Sequence, residues 1–185
     1  MQIKRDGHKI LIDQCSYLEK VLKCFGMQNA RTTPTPLPQG YYPSKHLGSV
    51  DPELQSRFQQ VIRSLLYITL GTRPDVAYAV AALSQHAANP SKEHLDKALY
   101  ICRYLLGTRH YSLVFDGASQ AGLIAYTDSD WASDYNDCHS QTGWFFKLAN
   151  CTFSWRSCKQ ERVAHSSMEA EYISLSDCSR QAKWL

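Results

Sequence analysis

Between Tyr126 and Gly143 the chain reads YTDSDWASDYNDCHSQTG, with the carboxylates Asp128, Asp130, Asp134 and Asp137 close together. An apolar run, LIAY, leads into this stretch, so Asp128 stands at the end of a strand-like segment. Further on, Glu169 falls in the first turn of a helical pattern, SSMEAEYISLSDC. A strand end and a helix start can converge on one point. Paired carboxylate oxygens are what a hard divalent cation such as magnesium takes as ligands. Two ions held in that way clamp the attacking and leaving oxygens of a phosphodiester. Spacing also supports a plainer reading. Glu169 is the acid of a Ser166-Ser167-Met168-Glu169 capping box, and Asp128 simply ends a strand. Asp130, Asp134 and Asp137 read as turn formers and loop solvation. No glycine-rich phosphate loop, H-E-x-x-H or G-x-S-x-G occurs.

The elements that must position these acids change character along the chain. The first half reads helical. Ser16 to Glu19 forms a capping box, followed by a stripe of Tyr17, Leu18, Val21, Leu22 and Phe25 that Gly26 stops. Residues 32–40, TTPTPLPQG, hold three prolines and form an extended connector. Asp51-Pro52 opens a helix that Gly71 closes, Pro74 starts another that ends before Pro90, and a fourth runs from Ser91 to Gly107. After Gly107 short aromatic and β-branched runs alternate with polar turns, which predicts strands over 111–116, 121–128, 142–149 and 151–157 in one mostly antiparallel sheet. A helix from Ser167 follows.

Composition bounds the rest. The 185 residues are 44% hydrophobic, enough for a packed core, and the net charge of +3 permits a nucleic-acid partner without demanding one. Seven cysteines without a C-x-x-C pair read as free thiols of a reducing compartment. MQIKRDGHK lacks the apolar core of a signal peptide, and VAYAVAAL is too short to span a bilayer. The expectation is an intracellular chain, cytoplasmic or nuclear, with no membrane partner.

Several ordered motifs carry a resemblance. YTDSDWASD, SQTGWFFKL, FSWRSCKQ and VAHSSMEAEYISLSDCSRQAKWL resemble the D-A-D-W-A-G, S-T-S-G-Y, S-W-x-S-K-K-Q and S-S-T-E-A-E-Y stretches of the RNase H domain of copia-type retrotransposon polyproteins. Upstream, RSLLYITLGTRPDVAYAVAALSQ and RYLLGTRHYSLVFDG resemble the same family's S-L-x-Y…T-R-P-D and R-Y-L-x-G-T blocks. MQIKRDGHKILIDQCSYLEKVLKCFGM looks like the segment after the polymerase palm. The resemblance covers nearly the whole chain.

It implies an α+β fold: a helical, thumb- or connection-like end of a reverse transcriptase over 1–107, then an incomplete RNase H-like domain of antiparallel strands plus a helix over 108–185. It implies that Asp128 and Glu169 are catalytic acids and ligands of Mg2+ (two ions in the intact enzyme, with Mn2+ as a substitute). The substrate implied is an RNA–DNA hybrid, and the physical partner is the remainder of the Pol polyprotein. Ser166, Ser167, Lys159 and Gln160 match positions at the substrate edge. Asp130 and Glu171 match further acids, but Glu169 and Glu171 stand roughly 200° apart on a helix and cannot both face one ion.

The departures are His139, Gln141, Cys158 and Met168, none of them at Asp128 or Glu169. The family's Y-V-D-D polymerase stretch and its C-D-N-Q stretch, with a third nuclease aspartate, do not occur here. Asp177, eight residues past Glu169, would lie about 12 Å along the same helix, too far to share an ion. The expectation is therefore a chain inactive alone, with a non-catalytic relic or hybrid-binding module as the alternative.

Overall fold

In the computed structural model, which describes residues Met1–Leu185, the chain opens with a hairpin where a helical texture was expected. Strands β1 (Gln2–Asp6) and β2 (Lys9–Asp13) flank Gly7-His8, and Gly7 takes a φ of 56°. A glycine at the first of the two turn positions supplies the positive φ that tight hairpins need, and it decides this segment. The chain divides into two compact units, Met1–Lys4 with Leu11–Leu113, and Arg5–Ile10 with Val114–Leu185.

The first unit is built on four helices: α1 (Cys15–Cys24), α2 (Pro52–Gly71), α3 (Ala77–Ser84) and α4 (Lys92–Gly107). The expected Ser16–Glu19 capping box does not form, because the helix starts before Ser16. Asp13 takes the capping role, its Oδ1 accepting the Cys15 N–H at 3.0 Å, while the Ser16 hydroxyl accepts from Gln2 Nε2. Gly26, at φ 69°, ends α1. Its N–H bonds the Lys23 carbonyl and that of Met27 bonds Leu22, which closes the orphan carbonyls of the last turn.

Asp51 caps α2 as expected, accepting from the Glu53 and Leu54 amides. The helix expected at Pro74 begins as a single 3-10 turn, Pro74–Val76, before α3. Phe58, Val61, Leu65, Val80, Leu83, Ile101 and Leu105 are buried in one core shared by these helices.

Arg73 ties that core together, and its role was not legible in the helix pattern. Its guanidinium grips Asp75 through two N–H groups, Nε to Oδ1 at 2.9 Å and Nη2 to Oδ2 at 2.7 Å. Nη1 donates to the Thr108 carbonyl at 3.0 Å and Nη2 to the Thr108 hydroxyl at 2.5 Å. Tyr104 OH donates to the same Asp75 Oδ2 at 2.9 Å, and the Tyr104 and Tyr111 rings flank the cation. A planar five-donor fork satisfies both a carboxylate and a helix C-terminus at once. The T-R-P-D and G-T motifs therefore meet as one hydrogen-bonded clasp between the turn after α2 and the end of α4.

In the second unit β4 (Ile124–Asp130), β5 (Gln141–Leu148) and β6 (Cys151–Lys159) form an antiparallel sheet in the order β4-β5-β6. The strand expected over 111–116 does not join it. As β3 (Leu113–Asp116) it pairs into a separate sheet, ordered β1-β2-β3; the hairpin missed in the sequence offered it an edge. Ala149-Asn150, with φ of 50° and 61°, make the two-residue turn between β5 and β6. Helix α5 (Ser167–Trp184) buries Ala170, Ser174 and Cys178, a stripe of small residues at helical spacing. The sheet core beneath is small: Trp144, Phe146 and Cys178, with Phe153 against them. The α+β class expected from the sequence is the class observed.

Candidate functional site

The register of β4 on β5 settles where each acid points. Thr127 pairs with Trp144, Asp128 with Gly143, and Tyr126 with Phe145. Side chains alternate between faces along a strand. Thr127 and Trp144 face α5: the Thr127 and Ser174 hydroxyls are 2.7 Å apart, and Trp144 Nε1 donates to Asp177 Oδ2 at 2.9 Å. Tyr126, Asp128 and Asp130 therefore lie on the opposite face.

That face is ordered in rows across the strands. Tyr126 stacks on Phe145, ring centroids 4.9 Å apart, in the row of Trp155. Asp128 lies in the next row, opposite Gly143 and then Ser157. A Cβ added at Gly143 would meet nothing within 4 Å, so the flank of Asp128 is open to solvent. The Asp128 side chain is exposed and makes no ion pair.

The anchor for α5 is Ser174. Its buried hydroxyl donates to the backbone carbonyl of Asp128 at 2.8 Å, so the helix crosses β4 beside the residue that carries the acid. Glu169 lies one turn and more before that crossing and 100° round the helix from buried Ala170, hence exposed. The Ser166 hydroxyl accepts the Glu169 N–H at 3.2 Å, and Glu169 Oε2 accepts the His165 N–H at 2.8 Å. The capping expectation thus holds at Ser166, with the return bond displaced by one residue. Ser167 is the first residue of α5 and exposed.

Lys159 and Gln160 are both engaged. Lys159 Nζ pairs with Asp134 at 2.6 Å and Asp137 at 2.5 Å, so two of the four clustered acids share one ammonium. Burial pushes the Asp134 carboxyl up, but the bonds from Lys159 and Asn136 outweigh it and hold the group below its ordinary value. Gln160 is buried, its amide donating to Thr142 Oγ1 and to the Ala170 carbonyl. Asp177 is held by Trp144, Arg156 and Arg180 and serves the packing of α5.

A groove of about 1060 Å³ runs between α5 and the β5–β6 side of the sheet, lined by Lys159, Gln160, Glu169, Asp177 and Arg180 among others. The structure therefore brings Glu169, Lys159 and Gln160 to one groove, and sets Asp128 on the other face of the sheet at the free edge of β4. No three His, Cys, Asp or Glu side chains gather closely enough to form a metal cluster. The sequence signals that were available and unused are Gly143, which pairs with Asp128, and Ser174, the polar member of the Ala170–Ser174–Cys178 stripe.

Comparison with known proteins gives this arrangement a context. Over 98% of its length the chain is 37% identical to the retrovirus-related Pol polyprotein from transposon TNT 1-94 of Nicotiana tabacum. Over its full length it is 34% identical to the retrovirus-related Pol polyprotein from transposon RE1 of Arabidopsis thaliana. It is similar over its whole length to a segment of transposon Pol polyproteins. The chain spans 14% and 12% of those two relatives, so it corresponds to one segment of much longer proteins. It is also 41% identical, over 69% of its length, to secreted RxLR effector protein 161 of Plasmopara viticola, of which it covers 90%. No family model and no solved structure matches the chain. No helix of the chain is long and apolar enough to cross a membrane.

Proposed function

We propose that this segment of a copia-type Pol polyprotein joins the end of a reverse transcriptase, residues 1–107, to the start of an RNase H domain, residues 108–185. On this reading Asp128 and Glu169 are the acids it contributes to a magnesium site acting on the RNA strand of an RNA–DNA hybrid, inside the cell and within the larger polyprotein. The observation that carries the reading is the Ser174 bond to the Asp128 carbonyl. It holds the helix that carries Glu169 against the strand that carries Asp128, although Asp128 lies on the outer face at the β4 edge and Glu169 in the groove beside β5 and β6.

The donors are of the right kind, since carboxylate oxygens suit a hard cation and manganese equally. They are too few for two ions, because Asp134, Asp137 and Asp177 are each held by basic partners. A bound magnesium ion would supply Lewis-acid activation of water and of the leaving oxygen. This chain's own contribution is narrower. Gly143 keeps the Asp128 flank open, Ser174 sets the helix height, and Ser166 with the His165 N–H orients Glu169. Lys159 and Gln160 line the groove where a backbone phosphate would approach, and Ser166 and Ser167 belong to the substrate edge by the resemblance alone.

The test is a gel assay on a labelled RNA–DNA hybrid with magnesium or manganese, using the 185-residue chain and Asp128→Asn. The expected result is negligible cutting by either protein, together with hybrid binding that survives the substitution. Robust cleavage abolished by Asp128→Asn would show that the site completes itself, for instance between chains, and would overturn the inactive reading. Absence of both cutting and binding would leave the relic reading in its place.

A further inference from the structure

The first unit holds a cluster of imidazoles that the proposed function does not use. His94 sits at the third position of α4 and is buried. Its Nδ1 accepts the backbone N–H of the cap residue Ser91 at 3.0 Å, while the Ser91 hydroxyl accepts the His94 N–H at 3.2 Å. A glutamate or glutamine ordinarily fills this reciprocal position. Here a titratable ring does. With Nδ1 accepting, the proton resides on Nε2, and the Ser44 backbone also bonds the ring. One neutral imidazole thus links the start of α4 to the extended segment around residues 44–46.

The surroundings sharpen the dependence on charge. His86, from the turn after α3, stacks on His94 with ring centroids 4.2 Å apart. From α2, the Phe58 ring lies 6.3 Å away. His46, from the extended segment, also acts on His94. The backbone of that segment is tethered in turn by Asn89 Nδ2, which donates to the His46 and Gly48 carbonyls.

We propose that the His46–His86–His94 cluster is an acid-operated latch, in which protonation of His94 releases the segment around residues 44–46 from the start of α4. Protonation converts Nδ1 from acceptor to donor, so it faces the Ser91 N–H with a second N–H. It also sets a cation at a helix N-terminus, where the backbone dipoles favour negative charge, and against a stacked imidazole. Burial first, then the His86 and His46 imidazoles, hold His94 down at about 4, against the opposing bond to the Ser44 backbone. An imidazole in the released state titrates near 6.5. The folded value is the lower one, so the latch contributes fully above pH 6.5 and is progressively lost as pH falls toward 4. Between pH 7 and pH 5 that linkage makes opening about tenfold or more easier.

Hydrogen exchange on the full chain, corrected for the intrinsic pH dependence of exchange, reads this directly. Peptides covering residues 41–50 and 91–97 should lose about tenfold in protection between pH 7 and pH 5. His94→Gln keeps a neutral acceptor at the same position and should show equal protection at both pH values. Unchanged protection in the natural chain, or the same loss in His94→Gln, would overturn the latch. Should the variant not fold, NMR titration of the natural chain decides instead. A His94 midpoint well below 6.5 supports the proposal, and one at or above 6.5 refutes it.

Discussion

Arg73→Met probes the clasp at the heart of the helical unit. The Arg73 side chain is 4% exposed and that of Asp75 32% exposed, so the substitution strands a carboxylate that water reaches only in part. Breaking a fully buried pair by removing one partner costs about 3–5 kcal/mol; access of water to Asp75 places this case at the lower end. The Thr108 carbonyl loses its charged donor as well, worth about 1 kcal/mol once solvent competes. Methionine retains most of the apolar stem, so the expected loss is about 3–4 kcal/mol in all. Arg73→Lys keeps the charge but not the fork and should lose about half as much. The assay is urea unfolding followed by circular dichroism at 222 nm. With a slope of about 1–3 kcal/mol per molar urea, the midpoint should fall by at least about 1 M. Tryptophan fluorescence is the internal control, because Trp131, Trp144, Trp155 and Trp184 all lie in the second unit and their transition should stay in place. A loss under about 1 kcal/mol would show that the clasp is a by-product of packing. Equal shifts by both probes would show that the helical half is not an independent unit.

Other consequences follow from the same geometry. Leu65 is fully buried in the helical core, so Leu65→Ala should cost about 2–5 kcal/mol in the same unfolding experiment; a change under half a unit would mean its helix face is misassigned. Ala149 holds a φ of 50° in the β5–β6 turn, a conformation that costs a non-glycine residue about 1–2 kcal/mol. Ala149→Gly should therefore raise the midpoint seen by tryptophan fluorescence, and a lowered midpoint would contradict the turn assignment. β4 is an edge strand with Leu123, Ile124 and Tyr126 exposed, an arrangement that favours edge-to-edge association. Sedimentation at high concentration should show oligomers that Ile124→Lys reduces; a clean monomer in the natural chain would contradict this.

Legibility in the sequence followed the reach of the signal. Local chemistry was readable: Asp51-Pro52 and Ser166 cap the helices they were expected to cap, and Gly26 ends α1. Strand pairing was less so, because Leu113–Asp116 has the same texture whichever sheet it joins, and its partner depended on a hairpin turned at Gly7-His8. The capping box at Ser16 failed since Asp13, three residues earlier, offered a competing acceptor. Two parts of the candidate site needed coordinates altogether. The face on which Asp128 lies depends on the register of β4 against β5, which pairs it with Gly143. The engagement of Lys159 with Asp134 and Asp137 bridges about twenty residues of chain, and no periodicity encodes it.

The central claim is the proposal that Asp128, at the edge of β4, and Glu169, in the groove beside β5 and β6, serve one magnesium site. Manganese titration of the isotope-labelled chain, followed in amide spectra, tests it most directly, since a paramagnetic ion broadens only the resonances near its ligands. The account predicts weak binding in which amides around Asp128 and around Glu169 broaden together, and in which Asp128→Asn abolishes both effects. Broadening centred on Asp134 and Asp137, or around one acid with the other untouched, would contradict it.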